Sequence, residues 1–234
     1  QSVHIFKRKN SFVLVRSGIK PRRLVEIAAL GIPSLVTELS SGIVIAVFNM
    51  LILKLSGNTG VAAYGVIANI SLVVISVFTG VAQGSQPLVS AAFGAKRDNE
   101  VHLYSRLAII TAVALASVIY GAVAMLAAPI TSVFNSEQNA ELEKIAITGM
   151  RIYFSGIIFA GFNIVKAALF AATERAVPAH VISLMRGLVL VIPSAYLLAA
   201  MLGMTGVWLA FPITEFITAA TAVLLSLRLT KNKT

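Results

Sequence analysis

Cysteine is absent from this chain of 234 residues, which excludes a disulfide framework, a thiolate metal site and a cysteine nucleophile. Histidine is scarce as well, because only three occur and all lie outside the long apolar segments or at their ends. HExxH, GxSxG and Walker motifs are missing, and no group of His and carboxylate residues has ligand spacing. We therefore expect neither a transition-metal site nor an enzyme.

Charged residues make up only 12% of the chain, whereas 58% of it is hydrophobic and the mean hydropathy is +0.90. Soluble domains carry about 25% charged residues, so the composition indicates an integral membrane protein instead. The net charge of +10 comes from Lys and Arg residues that cluster beside apolar segments, as they do on the cytoplasmic side of membrane proteins. We therefore expect membrane lipids as partners and no nucleic acid.

Long apolar runs divide the chain into segments of the length that crosses a bilayer, about 20 residues. Short polar connections containing glycine separate several of these runs, which favours antiparallel neighbours. The sequence therefore predicts an all-α integral membrane protein, a bundle of six transmembrane helices. The predicted spans are 27–53, 61–92, 107–127, 146–171, 179–201 and 206–227.

Lysine and arginine are unevenly distributed among the connections, and their distribution predicts the orientation. Basic residues precede the first span and surround the second connection, and Arg175 lies in the fourth. The third connection is acidic, whereas the first and fifth carry no charge. Both termini are therefore predicted to be cytoplasmic. The basic segment before the first span is either a solvated linker close to lipid or a specific site for lipid or a partner.

Glu38 is the one ionised side chain in the middle of the first predicted span. Insertion scales place the cost of an acid at this depth at roughly 2.5 to 3.5 kcal/mol. An aqueous cavity, a counter-ion or a bound coupling cation would each account for that cost. We therefore treat Glu38 as a candidate site residue.

Polar side chains recur at helical spacing in the first two spans and form a stripe on each. Such stripes must face protein or water in a membrane, so they either line a cavity or hold helices together by hydrogen bonds. The first stripe consists of Ser34, Thr37, Glu38, Ser41 and Asn49, and the second of Asn69, Ser76, Gln83 and Ser90, with Thr79 and Gln86 beside them.

Two further ionisable residues lie inside predicted spans, Arg186 about two turns into the fifth and Glu215 about halfway along the sixth. Opposite charges at these depths are expected to pair. A buried pair specifies packing as readily as it serves transport. We assign Arg186 and Glu215 to a structural ion pair.

Four segments of the chain carry a resemblance to a known family: GIPSLVTELSSG, GVAQGSQPLVSAAFGAKR, ALFAATERAVPAHVISLMRGLVLVIPSAYLL and GMTGVWLAFPITEF. Together, in this order and spacing, they resemble the C-terminal half of a bacterial MATE-family exporter. Members of that family export multiple drugs and toxic compounds by antiport. The resemblance implies a fold of twelve helices in two six-helix lobes, of which this chain supplies the seventh to the twelfth helix.

The resemblance also implies a division of the chain. Residues 1–25 correspond to a basic cytoplasmic arm between lobes, 26–228 to the six-helix transmembrane lobe and 229–234 to a cytoplasmic tail. A chain that begins with Gln1 in place of Met fits an excised piece on this interpretation, and its expected partner is an N-terminal six-helix lobe.

The site that the resemblance implies centres on Glu38, which matches an acid that some members carry in the seventh helix to bind the coupling cation, H+ or Na+. Those members pair it with an aspartate in the tenth helix, where this chain has Asn163. Asn49, Gln83 and Asn163 are candidates for neutral ligands or substrate contacts. Apart from the coupling ion, no cofactor is expected.

The expected function is therefore cation-coupled multidrug efflux by antiport in a bacterial inner membrane, with lipophilic cationic drugs as cargo. Two alternatives stay open. One is a flippase for lipid-linked oligosaccharides from the same superfamily, which usually needs a cationic cavity to hold pyrophosphate. The other is a membrane scaffold without transport activity, in which Glu38 is merely paired.

Overall fold

The computed structural model describes the backbone of residues 21–231 and the side chains of residue 40 and of residues 42–229. The chain divides into two compact units, Gln1–Glu38 and Leu39–Thr234. In the first unit the backbone is helical from Pro21 onward, and its side chains lie outside the described residues. The contacts reported below belong to the second unit.

Helices account for nearly all of the described backbone, and no strand occurs within it. The helices are α1 (Pro21–Gly94), α2 (Asp98–Met125), α3 (Ala127–Phe134), α4 (Ala140–Tyr153), α5 (Ile157–Ala172), α6 (Ala176–Leu184), α7 (Val191–Leu202) and α8 (Met204–Lys231). A 3-10 turn at Phe154–Gly156 joins α4 to α5, and a π turn at Met185–Val189 joins α6 to α7.

Helix α1 contains 74 residues but is broken by a kink at Ser56 and Gly57. Unbroken, it would be about 110 Å long at 1.5 Å per residue, far more than the roughly 30 Å of a bilayer core. Gly57 has φ 60° and ψ −157°, a conformation that favours glycine because it lacks a Cβ. The kink falls in the predicted connection SGNTG, so α1 supplies two spans.

Five helical stretches of the described residues are long and apolar enough to cross a membrane. The first of them, Gly42–Gly94, contains the kink, which brings the number of spans to six. The all-α membrane fold predicted from the sequence is therefore confirmed. The fourth span combines α4, the 3-10 turn and α5, whereas the fifth combines α6, the π turn and α7.

The short helix α3 was not expected, because its residues belong partly to the predicted third connection. The connection continues to Asn139, whose side chain accepts hydrogen bonds from the backbone N–H groups of Glu141 and Leu142. This arrangement is an N-terminal cap, which satisfies two of the free donors of a helix. The cap explains why α4 begins at Ala140.

Aromatic side chains make up the centre of the lobe. Trp208 of α8 is the largest of the fully buried side chains. Its ring lies 6.2 Å from that of Tyr64, which stacks on Phe48 with a centroid distance of 5.6 Å. Because Phe48 and Tyr64 lie on opposite sides of the α1 kink, this chain of rings fastens both parts of α1 to α8.

Glycine permits the closest approach between the fourth and sixth spans. A Cβ on Gly156, in the 3-10 turn, would lie 2.7 Å from Cα of Pro212 and 2.9 Å from the ring of Phe211. Real Cβ atoms do not approach backbone so closely, so only glycine fits here without a shift of α8. The contact fixes the part of α8 that immediately precedes Glu215.

We expect Gly156→Ala to destabilise the protein by about 1 to 3 kcal/mol, the usual cost of overpacking a tight interior. The measurement is the free energy of unfolding in detergent micelles. Gly121→Ala is the matched control, because a Cβ on this helical glycine of α2 meets nothing within 4 Å. Equal stability of the two variants would contradict the close contact.

Candidate functional site

A polar cluster lies inside this apolar lobe, formed by Asn163 of α5, Arg186 of the π turn and Glu215 of α8. We call these three residues the triad. Asn163 and Glu215 are buried, with 0% and 1% of their surface exposed. The Arg186 side chain remains 21% exposed, so the triad reaches from the interior of the lobe to its surface.

The Glu215 carboxylate receives a donor on each of its oxygens. Arg186 donates to Oε1 through Nε at 3.1 Å and Nη2 at 2.9 Å. Asn163 Nδ2 donates to Oε2 at 2.7 Å and to the Glu215 backbone carbonyl at 2.9 Å. The guanidinium neutralises the charge, and the amide fixes the direction of the carboxylate.

These contacts also determine the orientation of the Asn163 amide. Its NH2 group must face the two Glu215 acceptors, since a flipped amide would set its carbonyl against them. The carbonyl oxygen Oδ1 therefore points elsewhere, and it is buried without a hydrogen-bond partner among the described residues. The hydroxyl oxygen of Thr214 is in the same condition. Buried acceptors of this kind cost free energy unless a donor, a water or a cation satisfies them.

Tyr153 extends the polar region toward α1. It is buried and lies near Ser71, Glu215 and Arg186. The Ser71 hydroxyl is itself buried without a hydrogen-bond partner among the described residues. Its ring stacks on Phe211 at 4.3 Å, with 9° between the planes. Hydroxyl and carboxyl oxygens from three spans, the second, the fourth and the sixth, thus belong to this polar region.

The π turn explains how Arg186 reaches Glu215. Leu190 donates its backbone N–H to the carbonyl of Met185, a spacing of five residues that widens the helix and rotates the side chains it carries. Pro193 follows in the next turn and has no N–H to donate. Turns of this type are rare in helices and are frequent at functional sites.

The structure places the sequence-predicted residues in different surroundings. Arg186 and Glu215, assigned to a structural ion pair, form a salt bridge at 2.9 Å. Asn163, which the resemblance places where some members have the acidic partner of Glu38, donates to Glu215. The side chains of Glu38, Ser34, Thr37 and Ser41 lie outside the described residues, so their roles stay predictions.

The polar stripe of the second span lies on an outward face of the second unit. Two of its members are satisfied within α1, since Asn69 donates to the carbonyl of Gly65 and Ser76 to that of Leu72. Asn49 of the first span is half-buried. The exposed members of the stripe are Asn69, Ser76, Gln83, Gln86 and Ser90.

Sequence reasoning did not single out Tyr153, Ser71 or Thr214. Each is a common residue in membrane helices, and its neighbours become visible only once the helices are rotated against one another. The part of the chain described contains no group of three or more His, Cys, Asp or Glu residues that could hold a metal ion. The oxygen atoms of the triad are ligands of the kind that hard cations prefer.

The sequence of this chain is similar to a known protein family and to a curated multidrug export protein. The model of the MatE family matches residues 33–197, more than half of the chain. Multidrug export protein MepA of Staphylococcus saprophyticus is 21% identical over 225 residues, which are 95% of this chain and 49% of that protein. The chain therefore spans about half the length of this curated relative.

Solved structures resemble the lobe closely. An outward-facing multidrug resistance MATE family transporter of the MOP superfamily has a TM-score of 0.85 and 20% identity, over 100% of this chain and 53% of that one. An inward-facing conformation has a TM-score of 0.84 and 21% identity, over 92% of this chain and 50% of that one. The likeness shows that the lobe has the fold of half of such a transporter.

We expect Arg186→Met to destabilise the protein by about 3 to 5 kcal/mol, because it leaves the Glu215 charge buried without a partner. The double variant Arg186→Met with Glu215→Met removes both charges and should cost clearly less than Arg186→Met alone. Denaturant titration in micelles measures both, with Arg151→Met as the control for an exposed arginine outside the triad. A double variant less stable than Arg186→Met would contradict this account.

Proposed function

Because the chain belongs to the MatE family of transporters, we propose that it supplies the C-terminal half of a cation-coupled multidrug efflux antiporter. The protein is a multi-pass membrane protein. The proposal places it in a bacterial inner membrane with both termini cytoplasmic, in agreement with its charge distribution. Its partner is an N-terminal six-helix lobe, since the chain covers about half of the relatives it matches.

The observation that supports transport most strongly is the exposed polar stripe of α1. Amide and hydroxyl groups at membrane depth are stable only against protein or water. The outward faces of α2, α7 and α8 present residues such as Val118, Leu197 and Leu224 instead, which suit lipid. The described residues of the second unit thus offer apolar faces for the bilayer and a polar face for an aqueous cleft that a second lobe would close.

The character of this face fits lipophilic drugs. The stripe is polar but carries no charge between Asn69 and Ser90, and exposed apolar residues such as Leu72 and Val73 lie beside it. Apolar walls with a few amides and hydroxyls are typical of sites for small molecules. A flippase for lipid-linked oligosaccharides would need cations to hold pyrophosphate, and Arg186, inside the lobe, is already neutralised by Glu215.

Glu38 is the proposed coupling acid, on the basis of the cost of an acid in that segment and of the family resemblance. Binding of H+ or Na+ from outside neutralises the carboxylate. Neutralisation favours one conformation of the transporter, and release of the drug accompanies the change. The carboxylate then gives up its cation on the other side and the cycle repeats.

Ser76→Leu is expected to lower efflux of lipophilic cationic drugs several-fold, because leucine removes a hydroxyl from the proposed wall and fills space in it. Ser117→Leu is a close match, since Ser117 is also exposed and bonds to the carbonyl four residues earlier, but on α2. Drug accumulation in cells that express each variant at equal level is the measurement. Equal effects of the two substitutions would reject the stripe as a transport surface, and a wild-type protein without efflux would favour the scaffold alternative.

Glu38→Gln is expected to abolish cation-driven efflux while leaving drug binding intact, because glutamine keeps the shape of the side chain and cannot carry the charge. Membrane vesicles with an imposed H+ or Na+ gradient measure this, and the wild-type response shows which cation drives transport. Unchanged coupling in Glu38→Gln would remove this residue from the mechanism.

A further inference from the structure

The Glu215 carboxylate is occupied by a cation that belongs to the protein itself. We propose that Arg186 is a tethered cation that shares Glu215 with a small exchangeable monovalent cation, Na+ or H+, which displaces it during the transport cycle. The proposal rests on the proposed antiport, because the exchangeable cation would be a coupling ion. It makes the triad a second coupling site, in addition to Glu38.

The triad already contains the ligands that such a cation needs. Glu215 offers two carboxylate oxygens, and two further oxygens, Asn163 Oδ1 and the hydroxyl of the adjacent residue Thr214, are buried without a hydrogen-bond partner among the described residues. Carboxylate, amide carbonyl and hydroxyl oxygens are ligands of hard cations. Half a turn of the Asn163 amide exchanges the positions of its NH2 group and Oδ1, so the same side chain serves both states.

Charge balance requires that the two cations alternate. Glu215 carries one negative charge, and the Arg186 guanidinium neutralises it at 2.9 Å. A second cation added to the occupied pair would leave one positive charge buried and unpaired, which is strongly unfavourable. Arrival of a cation therefore favours departure of Arg186, and the buried charge stays the same in both states.

Arg186 can move away from Glu215 toward the surface of the lobe. Its side chain is 21% exposed, whereas that of Glu215 is 2% exposed, so the arginine lies on the outer side of the pair. It belongs to the π turn, whose extra residue allows a change of register that rotates Arg186 without breaking the helix. Arginine keeps its charge in water, so its departure requires no proton transfer.

The other groups described around Glu215 do not take over the role of Arg186 as its counter-ion. Among the described residues, Tyr153 at the end of α4 is a further titratable group that lies close to Glu215. Asn163 and Thr214 are neutral. Uptake of a cation by the triad therefore depends on Glu215, and Arg186 determines how readily it occurs.

The test is thermal unfolding of the full-length protein in detergent, with Na+ increased at constant ionic strength in one series and with pH lowered in the absence of Na+ in the other. A bound cation stabilises the folded state. In the wild type, we expect the melting temperature to rise with one of the two cations, and Glu215→Gln should remove this rise. The responding series identifies the cation as Na+ or H+.

Arg186→Gln removes the competitor, so the same rise should occur at a cation concentration lower by about 5- to 150-fold, the usual range of coupling between sites. Arg186→Lys keeps the charge without the two-pronged contact, so it should shift the cation requirement in the same direction by a smaller factor. It replaces Arg186→Gln in the test if that variant does not fold. Arg151→Gln, an exposed arginine on α4, should respond as the wild type does.

A wild-type response equal to that of Glu215→Gln in both series would overturn the proposal and leave the pair a structural one. An equal cation requirement in wild type, Arg186→Gln and Arg186→Lys would also overturn it. Because this experiment uses no transport, its result is independent of the efflux assays. Failure of the wild type to export drugs counts against the proposed function. A rise in melting temperature that Glu215→Gln leaves unchanged counts against the tethered cation.

Discussion

The charge on Glu215 has to be neutralised inside an apolar bundle, and three spans owe their relative rotation to that requirement. Arg186 reaches Oε1 from the widened π turn, and Asn163 reaches Oε2 because α5 turns that face toward α8. Hydrophobic packing alone tolerates many rotations of a helix, because one apolar side chain replaces another at little cost. A buried ion pair does not, since any rotation that separates the partners leaves an isolated charge. The triad therefore selects one arrangement among those that the apolar residues permit.

The number of spans and their helical structure could be read from the sequence because the membrane imposes them. Runs of about 20 apolar residues in a bilayer must be helices, and SGNTG was the correct position for the break in α1. The 3-10 turn and the π turn were not foreseen, because both lie inside continuous apolar runs and depend on contacts between spans, such as that of Gly156 with Pro212. The same limit applies to the site. Opposite charges at similar depth indicated the Arg186–Glu215 pair, whereas the bond from Asn163 to Glu215 required the rotation of α5, which no single helix encodes.

The two polar regions of the lobe differ in how their groups are satisfied. Along the exposed stripe, Asn69 and Ser76 bond to their own helix, so these bonds do not depend on what covers that face. In the triad the bonds run between spans, and a change at one residue has to move a neighbour. This contrast separates a surface that can meet varied surroundings from an interior whose parts are coupled. The proposed antiporter of drugs and cations would use both.

The tight hairpin of α7 and α8 bears on how the chain enters the membrane. Gly203 turns the chain with φ 58°, and at Gly206 the two backbones leave no room for a side chain against Leu198. A helix that carried Glu215 alone into lipid would meet a cost of roughly 2.5 to 3.5 kcal/mol. The ion pair with Arg186 of the fifth span offsets that cost, so the short loop that packs the last two spans together also keeps the acid and its counter-ion on neighbouring helices.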